Sequence, residues 1–153
     1  MNPALCNSEF DSLCDTDTVA DAARHMLHRR VSDLPVVDPD GKLLGMFKLD
    51  RLLAGLLPAA VLVGYGVPDL NFLSHNTIAE LRARMREIDC RPVREFVVVS
   101  DQVVTPDTPP LEIVLLLYRG ANNVPVVDPG TGRLVGMVSA RDMLAALQEE
   151  GSP

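Results

Sequence analysis

Residues 31–47 read VSDLPVVDPDGKLLGMF, and residues 121–138 read ANNVPVVDPGTGRLVGMV. The second stretch carries one extra residue in its turn. Otherwise the two superpose, Pro35 on Pro125, Asp38 on Asp128 and Gly45 on Gly136. Upstream, Asp17 and Thr18 stand at the same distance before Pro35 as Asp107 and Thr108 before Pro125. Two anchors at one offset identify an internal repeat, so the fold is one supersecondary unit built twice. In each copy a short β-branched run (residues 34–37 and 124–127) predicts a strand, and Asp-Pro followed by Gly predicts a tight turn. Residues 43–47 and 134–138 then form the return strand. Thr18 with Asp21 three residues on has the spacing of a helix-starting capping box, the helix running to about Arg29. Thr108 followed by Pro109 starts the matching helix, proline being tolerated where an N–H would have no partner. A second helix follows each hairpin, near residues 51–57 and 141–148.

Working outward, residues 52–68 carry no charge but fall short of the roughly 20 residues that span a bilayer. Gly55, Pro58, Gly64 and Gly66 interrupt them, so they read as a helix end and a buried connector, and no membrane association is expected. Gly64-Tyr65-Gly66 lacks the pattern of a phosphate loop. Thr77 and Glu80 open a further helix with Ile78, Leu81, Met85 and Ile88 on one stripe, closed by Pro92; this helix is expected to brace the junction between the copies.

The 153 residues carry 21 acidic and 14 basic side chains, a net charge of −7, with 4% aromatics and no Trp. That balance disfavours nucleic-acid binding, which needs a basic surface and stacking platforms. Cys6, Cys14 and Cys90 show no C-x-x-C spacing and read as reduced thiols, Cys14 as a small buried hydrophobe. With no basic residue before Arg24 and no apolar stretch after Met1, a cytoplasmic location is expected. His25 and His28 lie three apart on a helix, yet no acid–cysteine cluster supports a metal, and exposed histidines are the simpler reading. No nucleophile–base constellation is present, which points away from an enzyme.

The stretches Leu34-Pro-Val-Val-Asp and Val124-Pro-Val-Val-Asp, with Gly136-Met-Val-Ser-Ala-Arg-Asp-Met-Leu, resemble the CBS-domain family in its tandem form, the Bateman module. The resemblance implies an α/β fold of the α+β type: two β-α-β-β-α units packed about a pseudo-twofold axis, plus a central helical insert. On this reading residues 11–57 form the first unit, 58–95 the connector and 96–149 the second. It also implies a stand-alone regulatory module sensing an adenosine-containing ligand (AMP, ADP, ATP, S-adenosylmethionine or NAD) in a cleft between the units and signalling to a regulated protein. The alternative is a ligand-independent assembly module. No cofactor is required on either reading.

The candidate site centres on Ser139 and Asp142, with Ala140 and Arg141 between them. Ser and an acid three residues apart make a helix cap without any ligand. The same carboxylate can accept both hydroxyls of a ribose, and free N–H groups at the helix start suit an electronegative group. Lys48 and Arg51 replace Ser139 and Asp142 in the first copy. Guanidinium only donates, so at most one high-affinity nucleoside site is expected; Asp50 is expected to be the helix cap there. The resemblance places Ser32 and Asp33, next to Pro35, facing the ligand of the Asp142 site, and Asn122 and Asn123 facing the other cleft. It places the run of Val97 and Val98 against the base. Asp33 would repel a string of phosphates, favouring few phosphates or a cation, with Arg29 and Arg30 as compensating charges. The uncharged run 113–118 and the apolar second helices predict a C₂ homodimer through helices of both copies.

Overall fold

The computed structural model describes residues 5–57, 77–99 and 102–149. The expected buried connector and the Gly64–Gly66 segment lie outside them. The first unit runs β1 (Leu13–Cys14), α1 (Val19–Arg29), β2 (Asp33–Val37), β3 (Leu43–Lys48) and α2 (Leu49–Leu56). A central helix, α3 (Ile78–Asp89), and a 3₁₀ turn (Val93–Glu95) follow. The second unit comprises α4 (Pro110–Tyr118), β4 (Asn123–Val127), β5 (Leu134–Ser139) and α5 (Ala140–Gln148). This is the mixed α/β plan of the repeat: five helices and two small sheets among the described residues.

Each sheet is an antiparallel hairpin with a parallel leading strand. β1 pairs with β2 through Leu13–Val36 and Cys14–Val37, and Val104 makes the equivalent single bridge to Val126. The turns close as Asp38 and Asp128 chemistry dictates: Asp38 Oδ1 accepts from the N–H groups of Asp40 and Lys42, and Asp128 Oδ1 from that of Gly130. Both hairpins carry an irregularity at the same repeat position, after Val36 and after Val126.

The units embrace through exchanged segments. Val98 trades two backbone hydrogen bonds of 2.9 Å with Met46 of β3, and Asn7 trades bonds of 2.9 and 3.0 Å with Met137 of β5. The hairpin tips also exchange, Leu43 N–H to Gly132 and Leu134 N–H to Gly41. Such reciprocal pairs are the signature of a pseudo-twofold relation. They also explain the repeated glycine. A Cβ on Gly45 would lie 2.5 Å from the Val98 carbonyl oxygen, and one on Gly136 would strike Cys6 Sγ.

Two cores result. Leu13, Val36, Phe47 and Leu52 fill the first, joined by Ile88 of α3 and Val93. The second contains Leu5, Ile113, Val124, Val138 and Met143. Helix α3 begins on the Thr77–Glu80 capping box and packs Met85 and Ile88 on the first core. Arg84 Nη1 donates to the last turn of α2 at Leu56 O, 3.0 Å, so these contacts fasten the helix to the first unit rather than across the junction of the copies; Ile78 at the free end is exposed.

Three local expectations are corrected. Cys14 is exposed, because alternation along β1 turns Leu13 inward and Cys14 outward. Asp50 is not the cap of α2. That helix follows β3 without a loop, Lys48 takes the cap position, and the first helical N–H, of Leu49, is satisfied by the Ser32 carbonyl at 2.8 Å. Thr108 does not cap α4 either: Pro109 does, while the Thr108 hydroxyl accepts from Thr105 N–H.

Candidate functional site

Among the described residues, a cavity of about 780 Å³ opens between the units. Ser139, Ala140, Arg141 and Asp142 reach it from the start of α5, and Ser32, Asp33 and Pro35 from β2 of the other unit. Asn122 and Asn123 line this same cavity. Val97 and Val98 do not. The strand exchange lays them against Gly45 and Met46, beside the Lys48 helix start.

The Ser139–Asp142 cap is complete in itself. Ser139 Oγ accepts from Asp142 N–H at 3.1 Å, while Asp142 Oδ2 accepts from both the N–H and the hydroxyl of Ser139 at 2.8 Å. All three bonds use Oγ or Oδ2. Among the described residues Oδ1 has no such commitment, so the cap fixes the carboxylate through one oxygen and leaves the other free on a residue that lines the cavity. No counterpart exists at α2, where Lys48 makes no side-chain cap bond.

Asp33 and Asn123 occupy the same repeat position and meet across the pseudo-twofold. Asn123 Nδ2 donates to Asp33 Oδ1 at 2.7 Å. Asp33 is buried, and burial pushes its carboxyl above the usual range, opposed by the Asn123 bond and Lys48 and reinforced by Asp50. Arg29, expected to compensate for Asp33, is instead engaged by Asp11 through bonds of 2.8 and 3.0 Å. Arg30 also lines the cavity, and it does so from the left-handed region (φ 54°, ψ 45°), where the repeat has Gly120. An L residue there carries roughly 1–2 kcal/mol of strain.

Sequence reasoning missed the amino-terminal wall: Asn7, Glu9, Phe10 and Asp11 line the cavity. The signal was in the repeat. The offset of 91 that carries Gly136 back to Gly45 carries Val97 and Val98 back to Cys6 and Asn7. Cys6 lies against Gly136 with its thiol pushed up, first by burial and then by Asp142, which leaves it a poor nucleophile. Among the described residues no helix is long and apolar enough to cross a membrane.

Comparison with known proteins agrees with this geometry. The CBS domain family model matches twice, over residues 4–57 and 86–149. A CBS domain-containing protein of unknown function from Kribbella flavida superposes with a TM-score of 0.70 at 20% identity, covering 95% of this chain and 96% of that one. CBSX2, a CBS-pair protein from Arabidopsis thaliana, superposes with a TM-score of 0.71 at 24% identity, covering 94% and 92%. A structure of CBSX2 in complex with AMP matches with a TM-score of 0.66 at 24% identity, covering 94% and 93%. No curated protein matches the sequence. Repeat, exchanged strands and family model converge: the chain belongs to the CBS domain family, as a tandem pair of these domains.

Proposed function

We propose that this CBS pair is a cytoplasmic, non-catalytic regulatory module that binds one adenosine-containing ligand in the Asp142 cavity and passes occupancy to a partner protein. The observation that carries the reading is the Asp142 carboxylate. It is fixed by its own cap through Oδ2, keeps Oδ1 uncommitted, and belongs to a residue lining a cavity walled by both units. A ribose diol needs such an acceptor. A ligand touching both units ties its binding to their relative placement, which is what a sensor requires. The AMP complex of CBSX2 supports the ligand class. Adenine nucleotide and S-adenosylmethionine both remain within it. The cavity sets Arg30 and Arg141 against Glu9, Asp33 and Asp142, with Asp11 and Arg29 paired to each other. This balance accommodates one phosphate better than three, so affinity is expected not to climb from AMP to ATP.

A ligand-independent assembly module is the second reading, favoured by the exposed apolar residues of α4 and α5. Thermal shift with AMP, ADP, ATP, NAD and S-adenosylmethionine separates the two. Ligand at a hundred times its Kd adds about 2.7 kcal/mol of stability to a sensor and nothing to an assembly module. Asp142→Ala is expected to weaken the responding ligand by roughly 1.5–3 kcal/mol, the range for a charged hydrogen bond, with Arg51→Ala close to wild type in calorimetry. Equal losses from both substitutions would contradict the one-site reading.

A further inference from the structure

The amino-terminal segment crosses from one unit to the other along the cavity wall. Leu5 is buried in the core of the second unit. Two residues on, Asn7 pairs with Met137 of β5. At the other end Asp11 grips α1 of the first unit: its two carboxylate oxygens accept from Arg29 Nε and Nη2 at 2.8 and 3.0 Å, and His25 Nδ1 stands 3.5 Å away. Between these anchors the Asn7 side chain accepts from Glu9 N–H at 2.9 Å and tightens the bend. The bend carries Phe10, half-buried and the one aromatic side chain among the described residues lining the cavity.

We infer that residues 5–11 form a clamp on the ligand, in which Phe10 offers its ring to a planar base and the Asp11–Arg29 pair latches the strap down. The inference rests on the cavity being an adenosine-ligand site, and it assigns the base, for which that reading names no residue. Apolar β-branched residues 97 and 98 are excluded from the role by their place in the other unit's sheet. Stacking on an aromatic ring is tolerant of base identity and is worth roughly 10- to 100-fold in affinity. The latch has the properties of a release gate rather than a fold element. Arg29 is 53% and Asp11 23% exposed, and an ion pair so placed contributes little to folding and is screened by salt. Both anchored ends belong to different units, so the strap closes only when the units sit at their proper separation.

The test uses AMP as ligand and ribose 5-phosphate as the control that lacks a base. Phe10→Ala should weaken AMP roughly 10- to 100-fold in calorimetry. The chain has no Trp, so Phe10→Trp places a single indole, excited selectively beyond the tyrosine band, at the proposed contact. Its fluorescence should be quenched by AMP and remain steady with ribose 5-phosphate. Asp11→Asn should speed AMP release severalfold in stopped-flow while leaving the thermal midpoint of the unliganded protein nearly unchanged. The clamp is overturned if AMP binds wild type and Phe10→Ala alike and the Phe10→Trp emission ignores it; the Asp142 site would survive that result. Should no adenosine compound bind the wild-type protein, the site reading itself falls and takes the clamp with it.

Discussion

Asp33 lies 5% exposed, with its carboxylate accepting from Asn123 of the other unit and its backbone opposite Lys48 in the hairpin. Desolvation outweighs those two favourable neighbours, so the carboxyl binds its proton more tightly in the folded protein than in the unfolded chain. The sign of the linkage follows. Stability from this group is fully present below the unfolded carboxylate range and is lost as pH rises through the elevated folded value. Asp33 therefore weakens the fold at neutral pH. Asp33→Asn keeps an oxygen for Asn123 and removes the charge, so it should raise the thermal midpoint near neutrality, with the gain shrinking toward about pH 4. Asp11 and Asp21 act oppositely, held low by Arg29 and by the Thr18 cap, and their contribution is lost as pH falls. The difference between variant and wild type, measured by thermal denaturation across that range, isolates Asp33; a difference constant with pH would refute the assignment. The sequence showed Asp33 as a charge beside the site, and not as a buried one. Its burial is set by a partner 90 positions away, whereas the Ser139–Asp142 cap was legible because every bond in it spans three residues.

The exchanged strands locate the repeated glycines at the points of closest backbone approach, and they separate the two by severity. A methyl on Gly45 meets the Val98 carbonyl oxygen at 2.5 Å, a backbone atom of a residue held to Met46 by two hydrogen bonds. A methyl on Gly136 meets chiefly the Cys6 side chain, with Asn7 O further off at 3.2 Å. Gly45→Ala should destabilise by about 1–3 kcal/mol, the range for overpacking a well-packed site. Gly136→Ala should cost less in global stability and more in the protection of Asn7 and Met137 amides from hydrogen exchange. Equal unfolding midpoints in urea for the two variants would contradict this ordering. The elements themselves were legible: hairpins, turns and the Thr18, Thr77 and Ser139 caps all follow from residues a few places apart. What escaped was the pairing of residues 5–7 and 97–98. A strand's own pattern fixes which face is apolar, and the partner edge it joins is decided by the closed geometry of both units. The Asp50 cap failed for the same reason, since the Ser32 carbonyl that relieves Leu49 arrives from a neighbouring strand.

At the scale of the whole molecule, the described residues of α4 and α5 present an apolar surface that water does not favour. Helix α4 buries Ile113 fully and turns Leu111 (79% exposed), Val114, Leu115 and Tyr118 (85% exposed) outward, around an apolar groove of about 650 Å³. Helix α5 lies beside it with Leu144 and Leu147 also exposed. Each exposed leucine withheld from burial forgoes roughly 1.5–3 kcal/mol, and six exposed apolar side chains on two contacting helices exceed what monomers usually carry. A second copy can cover the patch with the same patch, which is the self-complementary arrangement of a C₂ dimer. Covering it would bury on the order of 2,000 Å², enough for a stable interface. Leu116 is unsuitable as a probe, although the sequence alone offers it as readily as its neighbours. It packs against the second core, so a charge there would unfold the unit. Tyr118→Glu and Leu144→Glu place the charge on the outer face instead. Light scattering at micromolar concentration should give twice the 16.6 kDa chain mass for wild type and a single chain mass for either variant, with the circular dichroism of both retained. A wild-type mass of one chain would remove the dimer, and a dimer unmoved by both charges would move its interface to another face.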